Sequence, residues 1–368
     1  MRNFSIFKME TIRETLKYVS GLRKIWDKST PAQLIFFVTN RCNSRCRHCF
    51  YWQNLNKRLE EELTLLEIEK ISRSMGNLLW LFLSGGEPFL RDDLVEICRV
   101  FYKNNHPKSI IIPTNGILVE KITNDLEKIA QSCPSSKLII QISIDEIGKR
   151  HDKIRGYPGN FAKIEELVPK LKEIKKRYKN LAIQANIVFC RYNQDRIIEI
   201  YDYLYERFGF DNICLSLVRG RPKEIAAKDV DLEKYWQAHQ YIRKTKRFTH
   251  YTSILSHLIT KKEDMQVELF IYSFINKKAV IPCLASQHSA VLLPNGDLVL
   301  CELRPEKIGN LRKANYDFKK LWHLSSIWRL REKIKGCYCT QECVYTVNVF
   351  LNPGSWPRFL KYLIFGKI

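Results

Sequence analysis

Phe36-Phe37-Val38-Thr39-Asn40-Arg41-Cys42-Asn43-Ser44-Arg45-Cys46-Arg47-His48-Cys49-Phe50 joins an apolar, strand-like run to three cysteines spaced C-x3-C-x2-C. A structural zinc site closes its tetrahedron with four ligands, whereas three closely spaced cysteines can bind three irons of a cubane cluster and leave the fourth open. An open iron at the end of a strand is a place for chemistry. The three thiols taken alone also fit zinc, with His48 as a fourth ligand.

Working outward from this run, short apolar segments alternate with polar-capped helical ones, the pattern of βα units around a parallel sheet. Strands are expected at Leu34–Val38, Trp80–Leu83, Ser109–Ile112, Leu138–Ile144, Ala182–Phe189 and Ile213–Val218. Each is rich in Ile, Leu, Val or Phe, as a strand buried on both faces should be. Helices are expected at Leu65–Asn77, Asp92–Asn105, Asn124–Cys133, Phe161–Lys179 and Asp195–Phe208, the first opened by a Thr64/Glu67 capping box. Six such units are too few for a closed eight-unit barrel. The fold class expected is α/β, a partial (β/α)6 TIM-like barrel with a small C-terminal cysteine-rich module.

The chain has 368 residues, 45% hydrophobic and 12% aromatic, enough for a substantial core. No apolar run approaches the roughly 18 residues of a membrane span, and residues 1–30 read as a basic helix rather than a secretory signal. A cytoplasmic location follows as the expectation. Of twelve cysteines, Cys42, Cys46, Cys49 and Cys283, Cys301, Cys337, Cys339, Cys343 form two groups, which argues for metal rather than disulfides. Cys98, Cys133, Cys190 and Cys214 are scattered and read as buried thiols. The net charge of +22 attracts anions without choosing among nucleic acid, lipid headgroups and phosphorylated substrates. No base-stacking platform is legible, so nucleic acid is not an expected partner.

Ser84-Gly85-Gly86-Glu87-Pro88 follows the second strand directly. Gly85 and Gly86 permit close backbone approach, Glu87 offers an anionic acceptor for an ammonium group, and Pro88 stiffens the turn. Together with the cysteine loop, this segment resembles the radical S-adenosylmethionine superfamily over roughly Gln33 to Val218. The resemblance implies that Cys42, Cys46 and Cys49 hold a catalytic [4Fe-4S] cluster whose fourth iron takes S-adenosylmethionine, with its amino group at Ser84–Pro88. It further implies cofactor contacts from His48, Phe50, Thr114, Asn115, Ser143, Asp145, Arg155 and Asn186. Turn and cap chemistry are the competing readings for Asn115 and Asp145, and a surface salt bridge for Arg155. His151 belongs to the same segment as Arg155. The implied activity is reductive cleavage of S-adenosylmethionine to a 5′-deoxyadenosyl radical, which abstracts hydrogen from an unactivated carbon.

Residues 220–280 read as a helical linker, with helices near Leu232–Phe248 and Asp264–Asn276. Residues 281–348 carry C-x12-G-x4-C from Cys283 to Cys301, around an Asn295-Gly296 hairpin turn. With Gly309-Asn310-Leu311 and Cys337-x-Cys339-x3-Cys343, this module resembles the SPASM or twitch extension. The resemblance implies one auxiliary [4Fe-4S] cluster on Cys283, Cys301, Cys339 and Cys343, with Cys337 a substitute or a spare; a four-cysteine zinc knuckle is the alternative. Full SPASM modules carry seven cysteines, and five remain here.

Residues 349–368 form a basic, aromatic tail that packs on the barrel or meets an anionic membrane surface. The substrate expected is a peptide or protein, ahead of a small or lipid-linked phosphorylated metabolite. A one-electron donor such as flavodoxin or ferredoxin is implied. A non-catalytic iron-sulfur or zinc protein is the reading from another class.

Overall fold

The computed structural model describes residues 27–245, 254–334, 336–339 and 341–365. Most of the N-terminal basic segment and the end of the Leu232–Phe248 helix lie outside these residues. Six parallel strands, β1 (Gln33–Thr39), β2 (Trp80–Gly85), β3 (Ser109–Thr114), β4 (Lys137–Ser143), β5 (Leu181–Phe189) and β6 (Asn212–Leu217), lie side by side in chain order. At least one helix follows each strand. The partial barrel expected from the apolar runs is therefore present, with boundaries moved by a few residues.

Strand alternation sorts the side chains. Leu34, Phe36, Leu81, Leu83, Ile110, Ile112, Ile140, Ile142, Ala185 and Ile187 join one apolar cluster with helix residues such as Ile71, Phe101, Ile129 and Leu171. The opposite, concave face takes the other register. Its rows pair Gln141 with Gln184 and Gln184 with Asn212, then Ser143 with Asn186 and Asn186 with Cys214. These side chains are half-buried, so the barrel interior keeps an open, uncharged polar surface over β4–β6.

Three features differ from expectation. Lys149–Arg155 is a separate helix, closed by Gly156 in the left-handed region at φ 64°. The Asp264–Asn276 helix begins earlier and spans Ile254–Ile275. The cysteine-bearing hairpin is joined to the barrel sheet itself. Its strand β7 (Ser289–Leu292) pairs parallel with β1, Gln33 against Ser289 through Phe36 against Leu292. Strands β8 (Asp297–Cys301) and β9 (Arg304–Asn310) continue antiparallel, giving a nine-stranded sheet ordered β6-β5-β4-β3-β2-β1-β7-β8-β9. Ser289–Leu292 is fully buried, which suits a strand covered on both faces.

The Thr64/Glu67 capping box is formed. The tail forms a helix, Trp356–Phe365, laid antiparallel on Ile254–Ile275. Tyr362 hydroxyl donates to Glu268 Oε1 at 2.6 Å, and Arg358 Nη1 to the Val280 carbonyl at 2.6 Å. Among the described residues no helix is long and apolar enough to cross a membrane.

Candidate active site

The cysteine loop leaves β1 at Thr39 and is clamped on three sides. On the first, the Thr39 hydroxyl and the Asn40 amide both donate to Glu62 Oε1 at 2.7 Å. Asn56, in the left-handed region at φ 57°, accepts from the Cys42 amide at 3.0 Å and donates to the Cys42 carbonyl at 3.1 Å.

The second side is Gly85-Gly86. The Gly86 amide donates to the Thr39 carbonyl at 2.9 Å and the Glu87 amide to the Arg41 carbonyl at 2.8 Å. A Cβ on Gly85 would stand 2.4 Å from the Thr39 oxygen, and one on Gly86 2.0 Å from the Arg41 oxygen. The glycines are needed because the cysteine loop itself lies against them.

The third side is the end of helix Lys149–Arg155. Its last carbonyls, which lack helical partners, accept from the loop: the Arg45 amide reaches the Arg155 carbonyl and the Arg47 amide the Ile154 carbonyl, each at 3.0 Å. Gly156 lies so close that a Cβ would meet the Arg45 oxygen at 2.7 Å. Asn56 and Gly156 were not among the expected site residues. Gly156 closes a helix that the sequence does not reveal, so its place past a helix end gave no usable signal.

The three thiols lie within one another's electrostatic reach. Burial pushes Cys42 up to about 11 and Cys49 up to about 12, and raises Cys46 as well. Burial thus favours the protonated thiols, and a metal held by them would displace those protons. A cavity of about 230 Å³ opens onto Cys46 and Cys49, lined also by Arg45, Trp52, Asn56 and Lys223. Among the described residues no three His, Cys, Asp or Glu side chains converge closely enough for a single metal ion.

Glu87 is 1% exposed. Its Oε1 accepts from the Thr114 hydroxyl at 2.8 Å and the Phe89 amide at 3.3 Å, and its Oε2 from the Asn115 amide at 2.8 Å. Burial pushes its carboxyl up to about 7 against the pull of these donors. A carboxylate offers about four lone-pair sites, so a further donor fits. Pro88 opens the short helix Pro88–Leu90, and Ser84 points to the concave face beside Phe37. The Asn115 side chain donates to Asn43 Oδ1 at 2.7 Å and Ser44 Oγ at 3.2 Å. Thr114 and Asn115 thus tie Glu87 to the cysteine loop.

Asp145 is fully buried. It accepts from Arg155 Nη1 at 3.1 Å and the Val188 amide at 2.9 Å, with His48 Nε2 at 3.5 Å. Burial opposes its ionisation, but His48 and Arg155 outweigh it and hold the carboxyl below its ordinary value. The Asp145 amide donates to His151 Nδ1 at 3.2 Å, which leaves the proton on Nε2 facing Asn160 Oδ1 at 3.2 Å. Burial takes His151 down to about 4, so it is neutral. Arg155 Nε and His48 Nδ1 are buried without a hydrogen-bond partner, while Cys42 and Cys46 both act on the Arg155 charge. These orphaned polar atoms beside the thiols fit a missing polar ligand. Ser143 and Asn186 are neighbours on the concave face, where Asn186 Oδ1 accepts from Ser216 at 2.8 Å.

In the C-terminal module, Cys283 feels Cys337, Cys301 feels Cys283, and Cys339 feels both Cys283 and Cys337. Cys337 is drawn below its ordinary value by a hydrogen bond with Cys339 and by Arg304. The Cys343 side chain lies outside the described ones.

Residues 36–204 match the Radical SAM superfamily. Fe-coproporphyrin III synthase of Methanosarcina barkeri is 27% identical over 255 residues, covering 67% of this chain and 59% of that protein. The antilisterial bacteriocin subtilosin biosynthesis protein AlbA of Bacillus subtilis is 25% identical over 301 residues, covering 78% and 59%. The chain thus spans about three fifths of the length of these curated relatives. Streptococcus suis SuiB bound to S-adenosylmethionine shares the fold, with a TM-score of 0.60 over 88% of this chain and 73% of that one at 18% identity.

Proposed function

We propose that this chain, whose residues 36–204 match the Radical SAM superfamily, modifies a peptide or protein substrate at an unactivated carbon. When bound, the reduced [4Fe-4S] cluster and S-adenosylmethionine supply a 5′-deoxyadenosyl radical. The observation that carries the reading is the clamped Cys42, Cys46 and Cys49 loop with the unpartnered Arg155 Nε and His48 Nδ1 buried beside it.

In this reading the three cysteines hold the cluster, and Glu87 receives the ammonium of S-adenosylmethionine while Arg155 faces its carboxylate. Phe50, Ser84, Gly85, Gly86, Pro88, Thr114 and Asn115 shape that end of the site. Asp145 fixes His48 and Arg155, and His151 fixes the Asp145 backbone. Ser143 and Asn186 face the substrate side. The uncharged rows of Gln141, Gln184 and Asn212 and of Ser143, Asn186 and Cys214 offer donors and acceptors together, which suits amide groups better than phosphates. The similarity to a bacteriocin biosynthesis protein favours the same substrate class.

An auxiliary [4Fe-4S] cluster in the C-terminal module is part of the proposal. The mutual fields of Cys283, Cys301, Cys337 and Cys339 support their sharing one site, with Cys343 as the further candidate ligand. An external one-electron donor such as flavodoxin or ferredoxin completes the reading. An anionic membrane surface is the proposed docking partner, supported by the exposed Trp356 and Leu360 of the tail helix and the basic Arg358 and Lys361 beside them.

Anaerobic reconstitution with iron, sulfide, dithionite and S-adenosylmethionine tests the proposal. The expected result is 5′-deoxyadenosine, lost in Cys42→Ala; its absence from the unaltered protein, with and without candidate peptides, overturns the enzyme reading. About eight irons per chain are expected from two cubanes.

A further inference from the structure

The segment after β6 reads in the sequence as a linker, yet it crosses the cysteine loop as a strap. The Lys223 amide donates to the Cys49 carbonyl at 3.0 Å and the Glu224 amide to the Arg47 carbonyl at 2.8 Å. Arg47 Nε returns a bond to Glu224 Oε2 at 2.8 Å. At the head of the strap, the Arg219 guanidinium lies 4.9 Å over the ring of Phe50, and its Nη2 is 2.8 Å from Glu302 Oε1. Phe50 directly follows Cys49, and Glu302 directly follows Cys301. Gly220, at φ +64°, is wedged between them: a Cβ there would stand 3.0 Å from Phe50 Cβ and 3.2 Å from Leu303 Cδ2.

We propose that Arg219 is a positioning residue shared by the two cysteine sites, neutralising Glu302 beside Cys301 while seating the Phe50 ring beside Cys49. The proposal rests on the two-cluster reading above. Its physical basis is the burial of Glu302, whose side chain is 4% exposed. A buried carboxylate needs a partner, and Glu302 adjoins Cys301 in the chain. With Arg219 in place the pair is neutral, so Glu302 does not oppose an added electron at Cys301. The same guanidinium stacks on Phe50 and fixes its plane, which a lysine does less well. Charge and stacking are therefore separable by substitution.

The unaltered protein, Arg219→Gln, Arg219→Lys and Glu302→Gln are reconstituted anaerobically and their iron counted. The auxiliary cluster is titrated potentiometrically by electron paramagnetic resonance. Its signal is assigned in protein with Cys42, Cys46 and Cys49 all changed to alanine. Affinity for S-adenosylmethionine is read by anaerobic equilibrium dialysis.

Arg219→Gln is expected to lower the auxiliary midpoint by roughly 59 mV, a tenfold change in the one-electron ratio. Glu302→Gln is expected to raise it, and Arg219→Lys to hold it. Both Arg219 variants should bind S-adenosylmethionine about 2–5-fold more weakly, with Glu302→Gln unchanged. Equal midpoints in Arg219→Gln and Glu302→Gln, or unweakened binding in Arg219→Lys, overturn the inference while about eight irons remain. A count near four overturns the two-cluster reading and the inference with it. If Arg219→Gln retains no iron, the Glu302→Gln midpoint and the Arg219→Lys affinity decide.

Discussion

At Gly86 a methyl group would stand 2.0 Å from the Arg41 carbonyl oxygen and 2.6 Å from its carbon, and both are backbone atoms held by the bond to the Glu87 amide. Gly86→Ala is therefore expected to cost about 1–3 kcal/mol and to lower iron retention, read by thermal unfolding and iron content. Arg155→Met is a harsher change, because it leaves Asp145 buried without its cation. A loss of about 3–5 kcal/mol is expected, read by urea denaturation. The need for glycine at positions 85 and 86 is legible in the sequence, but its cause is not: spacing does not say whether a ligand or the chain itself approaches. His48 and Arg155 were expected at the cofactor; their shared dependence on Asp145 could be seen only in three dimensions.

The tail helix Trp356–Phe365 packs one face on the long helix through Tyr362 and leaves Trp356 38% and Leu360 59% exposed. An exposed apolar stripe with Arg358 and Lys361 beside it and no acidic residue fits the interface of an anionic bilayer. Flotation with vesicles containing phosphatidylglycerol is expected to carry the protein, and vesicles of phosphatidylcholine alone to leave it behind. Joint Trp356→Ser and Leu360→Ser substitution should abolish flotation; equal flotation of the variant would retire the membrane reading. At this scale the βα units were legible because each buried strand is a short apolar run. The short helix Lys149–Arg155 was not, since about two turns with Ile154 as their lone apolar residue have no apolar stripe to reveal them.

Across the whole molecule, Glu67 joins the barrel to the C-terminal module. Arg312 reaches its two oxygens at 2.6 and 3.0 Å, and the Tyr316 hydroxyl adds 3.0 Å. The Arg312 bond holds the Glu67 carboxyl at about 2. A lowered folded value means that this stabilisation is fully present above the ordinary carboxylate range and is lost as pH falls through it toward 2. Glu67→Gln should cost about 2 kcal/mol near neutrality. Its deficit against the unaltered protein should shrink in acid, measured by urea midpoints at about pH 6 and about pH 3. The sequence marked Glu67 as a helix cap; that it also anchors a module some 245 residues away is invisible to local pattern.

The parallel pairing of β7 with β1 bears on how the protein is made. Ser289 Oγ donates to Gln33 across a separation of 256 residues. At synthesis rates of 5–20 residues per second, about 13–50 s pass between the two leaving the ribosome. Until then the strand that carries the cysteine loop has a bare edge, open to the wrong neighbour. A chaperone or an early iron donor therefore has its opportunity within that interval, before the hairpin closes the sheet.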